Sequence, residues 1–363
     1  MNTSRLVDRF FRYVSCDSES GNEREFCEML ERELAALGMS ITRDEVGLKC
    51  GSNGWNIYAY LPGEGEPLLF SAHMDTVPPG NGVKPVVADG VIRSAGDTIL
   101  GADDKAGIAA ILEAIQTVLE DNAVHRPVEV LFSVCEELGL LGAKHADYSK
   151  IKSKQALVLD NGPHGSIVNN APAKVELHVQ VDGRSAHAAM APGKGINAIK
   201  AAAAAIANIP CGQVDEQTVI NVANFLSPGK SNVVPEKATF DIDLRSFDSE
   251  RLEGHIANVR SALKAACDPL GAAYTLSVDR QTNILLVPPD RPLIGKLREV
   301  YSQLGVPCKV ERTFGGSDAT WIFHSGIDVA NIGIGMTDVH SCSEHISVAD
   351  LELTAKIVLA MMR

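Results

Sequence analysis

Missing from this sequence is any Cys-x-x-Cys pair: its eight cysteines, at positions 16, 27, 50, 135, 211, 267, 308 and 342, are scattered along 363 residues. That scatter excludes a thiolate metal knuckle, argues against a disulfide framework, and suits reduced thiols in a cytoplasm. No apolar run approaches the roughly 20 residues that span a bilayer. Residues 1–9 also lack the unbroken apolar segment of a secretory signal. Positive charge is short as well: 33 Lys and Arg stand against 46 Asp and Glu, a formal net charge of -13. A surface of that sign repels phosphate backbones and anionic lipids, so neither nucleic acid nor a membrane is an expected partner. No Gly-x-Ser-x-Gly elbow is present, which removes the common serine hydrolase arrangement. Two nucleotide-loop look-alikes fail on context. Gly193-Lys194-Gly195 follows a polar-small run rather than a strand, and Gly229-Lys230-Ser231 has Asn224 where the first glycine belongs.

What is present reads as α/β. Apolar periodicity predicts helices over 4–16 and 22–37, and buried strands over 56–61, 67–72, 128–135 and 156–160. After Asp103-Asp104, the residues Ile108, Ile111, Leu112, Ile115, Val118 and Leu119 recur at helical spacing. From about 172 the pattern becomes period-two alternation over 174–182, followed by an alanine-rich helix near 195–208. Strands at 217–225 and 237–245, a helix at 249–266 and a strand near 273–279 complete a βαββαβ order. A helix at 291–304 and an apolar strand before Gly333 then restore the α/β pattern. The expected organisation is an α/β domain with a mixed sheet, formed by 1–171 and 285–363, and an inserted α+β (ferredoxin-like) domain over 172–284.

Three predicted strands deliver polar residues at their carboxyl ends, where open α/β sheets bind ligands. These are His73, the pair Glu136-Glu137, and Asp160. Adjacent carboxylates closing an apolar strand need cations or protons to separate their roles. Asp103 and Asp104 stand at a helix start, where capping is the plain reading for one of them. With a C-terminal histidine, the set offers two imidazoles and at least three carboxylates, which suits two zinc ions about 3.5–4 Å apart. The charges close when three carboxylates and a hydroxide face two zinc ions. One carboxylate of the Glu pair is then left over as general base. Asp75, two residues past His73 on extended chain, points to the same side and can orient its imidazole.

The segments Ser71-Ala72-His73-Met74-Asp75-Thr76-Val77, Leu100-Gly101-Ala102-Asp103-Asp104-Lys105-Ala106-Gly107 and Cys135-Glu136-Glu137-Leu138-Gly139 carry a resemblance. They resemble the motifs of the di-zinc metallopeptidase family that includes peptidase T, carboxypeptidase G, aminoacylase and succinyl-diaminopimelate desuccinylase. The likeness runs over nearly the whole chain and, with Phe314-Gly315-Gly316-Ser317-Asp318, leans toward the peptidase T branch. It implies a cytoplasmic zinc-dependent hydrolase of short peptides, an aminopeptidase of the tripeptidase kind. An N-acyl-amino-acid amidohydrolase or carboxypeptidase of the same family, and a catalytically silent binding protein on the scaffold, are the alternatives. The resemblance further implies that His73, Asp103, Glu137, Asp160 and His345 hold two Zn2+ ions, with Co2+ or Mn2+ as substitutes. Asp103 would bridge, Asp104 would cap the helix, Glu136 would be the general base and Asp75 would steady His73. His340 is the alternative to His345. The inserted domain corresponds to the family's lid, which commonly mediates homodimerisation. Within it His187, Asn232 and Arg245 resemble residues that hold the substrate.

Overall fold

Amphipathic spacing builds the first two helices. α1 (Thr3–Val14) buries Leu6, Phe10, Tyr13 and Val14, and starts where the Asn2 side chain accepts the Arg5 N–H. α2 (Arg24–Ala36) buries Phe26, Leu30 and Leu34. The chain continues through β1 (Ser40–Arg43), α3 (Gly47–Cys50), β2 (Ile57–Leu61), β3 (Leu68–His73), the hairpin of β4 (Pro85–Ala88) and β5 (Val91–Ser94), and α4 (Ala102–Glu120). Then come β6 (Val128–Ser133), α5 (Leu141–Lys144), β7 (Gln155–Asn161) and β8 (Ser166–Ala171). The middle third holds β9 (Ala173–Asp182), α6 (Ala198–Ile206), β10 (Gly212–Gln213), β11 (Thr218–Leu226), β12 (Lys237–Ser246), α7 (Ser249–Cys267) and β13 (Ala273–Thr282). Last are β14 (Leu285–Leu286), α8 (Pro292–Gln303), β15 (Lys309–Arg312), α9 (Ala319–His324), β16 (Asp328–Gly333), β17 (His345–Ser347) and α10 (Val348–Met362). The computed structural model describes every residue from Met1 to Arg363. Two units result: Met1–Asn170 with Leu285–Arg363, and Ala171–Ile284.

In the larger unit one mixed sheet runs in the order β1-β2-β6-β3-β7-β16-β8-β14, with β15 beside β8. β6, β3, β7 and β16 are parallel neighbours, whereas β2 joins β6 and β8 joins β16 in antiparallel fashion. Every residue of β3 and β6 is buried, as expected for strands covered on both faces. α4 supplies much of that cover, packing on β3 and β7 as well as on α1 and α10. Its first turn sits close to the sheet because residue 107 is glycine. A Cβ there would lie 2.4 Å from Asp104 Oδ1 and 3.0 Å from the Leu159 carbonyl. Since β3, β6 and β7 run the same way, their carboxyl ends open on one side of the sheet, which places His73, the Glu pair and Asp160 as neighbours.

The smaller unit is an antiparallel sheet ordered β10-β11-β12-β9-β13. β9 and β12 alternate buried and half-exposed residues, so one face packs against α6 and α7 through Leu177, Val179, Ile242, Leu244, Ile256 and Leu263. Asn197 caps α6 by accepting the Lys200 N–H at 3.0 Å. The glycines of 193–195 therefore lead into a helix cap.

Candidate metal centre

His73 closes β3 and is buried. Its Nδ1 lies 2.9 Å from the Asp75 carbonyl and 3.6 Å from Asp75 Oδ1, while its Nε2 is 3.0 Å from Asp103 Oδ1. Asp75 has further duties. Its Oδ1 accepts the Glu136 N–H at 2.9 Å, and its Oδ2 accepts the Glu137 N–H at 3.2 Å and the Ser20 hydroxyl at 2.6 Å. One carboxylate thus fastens the end of β3 to the turn that carries both glutamates. Asp160, at the end of β7, is fixed through its main chain: its N–H donates to Asn331 Oδ1 at 3.0 Å, and its carbonyl accepts from Asn331 Nδ2 at 2.7 Å.

Beside a His73–Glu136–Glu137 group, two donor triads emerge, His73–Asp103–Asp160 and Asp103–Glu137–His340, and each of the three has its ligand atoms within 4.8 Å of one another. Asp103 belongs to both triads. The histidine of the second triad corrects the sequence reading, which placed His345 there. His345 opens β17, where its main chain pairs with Arg93 and Thr337, and its Nδ1 lies 2.9 Å from the Ser343 carbonyl. His340, in the turn ahead at φ 61, brings Nε2 to 2.9 Å from Glu137 Oε1 and 3.3 Å from Asp103 Oδ2. Accordingly, His340→Ala is expected to lower metal content and to cost more than the roughly 10–100-fold typical of losing an outer-shell partner. His345→Ala is expected to keep its metal. Elemental analysis of the two purified variants separates the assignments.

Asp104 also departs from its expected role. The amino end of α4 is Gly101 at φ 78 with no side-chain cap, and Asp103 and Asp104 have non-helical dihedrals. Asp104 instead accepts the His73 N–H on Oδ2 at 3.3 Å, while its buried Oδ1 has no partner. The anchoring of this loop falls to Glu344, which the sequence reading passed over. Glu344 Oε2 accepts the N–H groups of Leu100 and Gly101 at 2.8 and 2.7 Å, and Oε1 accepts that of Asp103 at 3.0 Å. Asp318 is a second omission: it is buried, accepts the Ser133 hydroxyl on Oδ2, and has a free buried Oδ1. Its position in the Gly315-Gly316-Ser317-Asp318 segment was the available signal.

Burial drives the carboxyls of Glu136, Asp160 and Asp104 well above the usual carboxylate range, and neighbouring acids add to it. Asp103 goes the other way. Burial opposes its ionisation, but hydrogen bonds from His340 and His73 hold it well below the ordinary value. Those bonds act in return on the imidazoles. His340 is pushed up to about 10 by Asp103 and Glu137, and His73 is raised because Asp103 and Asp75 outweigh its burial. The cluster carries surplus negative charge that protons relieve. Two divalent cations would satisfy the same carboxylate and imidazole donors, so the residues fit a dinuclear centre.

A pH dependence follows for metal-free protein. His340 has a folded-state pKa near 10 against an unfolded value of about 6.5. Its contribution to stability is full below about pH 6.5 and declines as pH rises toward 10. Lys105, lowered by burial to about 8, acts in the opposite sense from there upward. With chelator present, the melting temperature should therefore fall between about pH 6.5 and 8. His340→Ala should flatten that slope, as differential scanning calorimetry would register.

The profile of the peptidase family M20/M25/M40 matches residues 69–363. The chain belongs to this family. Peptidase T of Geobacillus thermodenitrificans (strain NG80-2) is 27% identical over 411 residues, covering 99% of this chain and 97% of its own. The crystal structure of aminopeptidase PepT from Bacillus cereus ATCC 10987 superposes with a TM-score of 0.92 at 34% identity, covering 100% of this chain and 98% of that one. A tripeptidase from Staphylococcus aureus does so with 0.96 at 31% identity and the same coverage. Within the M20 peptidases the chain is of the peptidase T type, a metal-dependent hydrolase with the α/β fold expected from its sequence.

The residues assigned to substrate lie in the smaller unit. His187 pairs with Val233 in an isolated bridge, and its Nδ1 accepts the N–H groups of Ala189 and Met190 at 3.3 and 3.2 Å. Asn232 is exposed beside it, its carbonyl accepting the Ala188 N–H at 3.0 Å. Arg245 is half-buried on β12, with its Nε 2.9 Å from Asp243 Oδ1 and a terminal nitrogen 3.0 Å from Oδ2.

Proposed function

We propose that the protein is a dinuclear aminopeptidase that releases amino-terminal residues from short peptides, tripeptides above all. The observation that carries this reading is the pair of donor triads sharing Asp103, with buried Glu136 outside both and grouped with one residue of each, His73 and Glu137. Two zinc ions bound by His73, Asp103, Asp160, Glu137 and His340 would polarise the scissile carbonyl and make water nucleophilic at neutral pH. Glu136 takes the proton from the attacking water and returns it to the departing amine nitrogen. Its burial raises the carboxyl's affinity for that proton toward the working range of a general base. Asp75 holds the Glu136 main chain in place, and Glu344 holds that of Asp103. The names of the peptidase T relatives support peptides as substrates.

In this reading His187, Asn232 and Arg245 recognise the substrate, and the smaller unit serves as lid and homodimer contact. Support for the dimer comes from β11: β10 pairs only with Val219 and Ile220, which leaves the outer edge beyond them open, and Phe225 and Leu226 are exposed there. A cytoplasmic setting is supported by eight free cysteines, and no helix is long and apolar enough to cross a membrane. The test is hydrolysis of free tripeptides, dipeptides and N-acetyl amino acids by zinc-loaded protein, with a chelated control. Chelator-sensitive release of amino-terminal residues is the expected result. Preference for N-acetyl amino acids would replace the peptidase reading with a deacylase one.

A further inference from the structure

The metal-centre chemistry leaves two neighbouring thiols unused. Behind the Glu pair, β6 has ended at Ser133 and Cys135 takes φ 53. Its Sγ lies 3.4 Å from Glu23 Oε1 and 4.0 Å from the carbonyl of Cys50. The Cys135 side chain thus packs against the main chain of Cys50. Cys135 is buried, whereas Cys50, at the end of α3, is half-buried and so reachable from solvent. The neighbouring Cys135 thiol lowers the pKa of the Cys50 thiol from its ordinary value. An accessible thiol with a lowered pKa, beside a covered second thiol, is the arrangement that oxidants select.

We propose that Cys50 and Cys135 form an oxidative modification site, in which a hydroperoxide converts the pair to an intramolecular disulfide and thereby lowers turnover. The Cys50 thiolate attacks a peroxide oxygen, forming an S–O bond as the O–O bond breaks. The hydroxide released takes up the proton that Cys50 gave up. The Cys135 sulfur then attacks the Cys50 sulfur, and the S–O bond breaks. The departing hydroxide leaves with the Cys135 proton as water. With hydrogen peroxide, two thiols lose two electrons and yield one disulfide and two waters.

The consequence for turnover is geometric. A disulfide holds its sulfurs about 2.05 Å apart, so two neighbouring thiols must draw together. Cys135 directly precedes Glu136, whose main chain is positioned by Asp75 at 2.9 Å. A displacement of about 1 Å at a catalytic group costs roughly 100-fold. This part rests on Glu136 acting as the base; formation of the bond does not.

The experiment treats zinc-loaded protein with hydrogen peroxide and follows two readouts, peptide mapping by mass spectrometry and tripeptide turnover. A linked Cys50–Cys135 peptide lighter by two hydrogens is expected, with turnover down roughly 100-fold in the linked fraction. Dithiothreitol should restore both. Cys50→Ser, with Cys50→Ala as the second variant, should keep basal turnover and resist the oxidant. Absence of the linked peptide, an equal loss in both Cys50 variants, or a linked peptide with unchanged turnover would overturn the proposal. A linked peptide in protein inactive on every peptide before treatment would count against the peptidase reading and leave the thiol chemistry standing.

Discussion

Glu136→Gln is expected to retain both metals and to lose tripeptide turnover by about 10²–10⁴-fold, the range a positioned general base supplies. The amide keeps the size of the side chain and leaves the Asp75 contact intact, because Asp75 holds the main-chain N–H of residue 136 rather than its carboxylate. What the amide cannot do is accept and carry a proton. KM should change little, since the loss falls on a transition-state interaction. Metal content measured on the same preparation separates this outcome from loss of the centre. Turnover within a few-fold of the parent protein would remove Glu136 from the proton pathway.

Why this residue was recognisable in the sequence, and others were not, is a matter of range. β3, β6 and β7 are apolar runs buried on both faces, so a polar residue at each end stands out: His73, Glu136-Glu137 and Asp160. The smaller unit was equally legible, since β9 and β12 show the period-two alternation of a sheet with one covered face. The choice between His340 and His345 was not. It depends on β17, three residues long, pairing with the four-residue β5 some 250 positions earlier in the chain, and neither strand carries a pattern of its own. Glu344 was hidden for a related reason: it binds main-chain N–H groups, which every residue except proline offers, at a separation of 241 to 244 positions. Asp104 misled because carboxylates at helix starts usually cap. Here the helical dihedrals begin only after it, and its side chain turns to the His73 N–H.

Asp103→Ala is expected to have the largest effect of any single substitution in the centre, with metal content falling from two ions to one or none and turnover down beyond about 10⁴-fold. The other proposed ligands each sit in one of the two proposed ion sites, whereas Asp103 is common to both, so its removal weakens both at once. The expectation is specific because the fold does not depend on this side chain. The loop bearing it is fastened by Glu344 to the main chain of Leu100, Gly101 and Asp103, bonds that alanine preserves. Metal-free Asp103→Ala should consequently melt as a folded protein. Its two histidines should titrate lower than in the metal-free parent, because His73 and His340 lose a shared anionic partner at 3.0 and 3.3 Å. NMR titration of the histidine ring protons in chelator, alongside elemental analysis and calorimetry, tests each part. Two tightly held ions in the variant would reject Asp103 as the shared carboxylate and with it the dinuclear geometry. A folded variant with empty sites and lowered histidine titrations would show that one carboxylate joins the two halves of the centre.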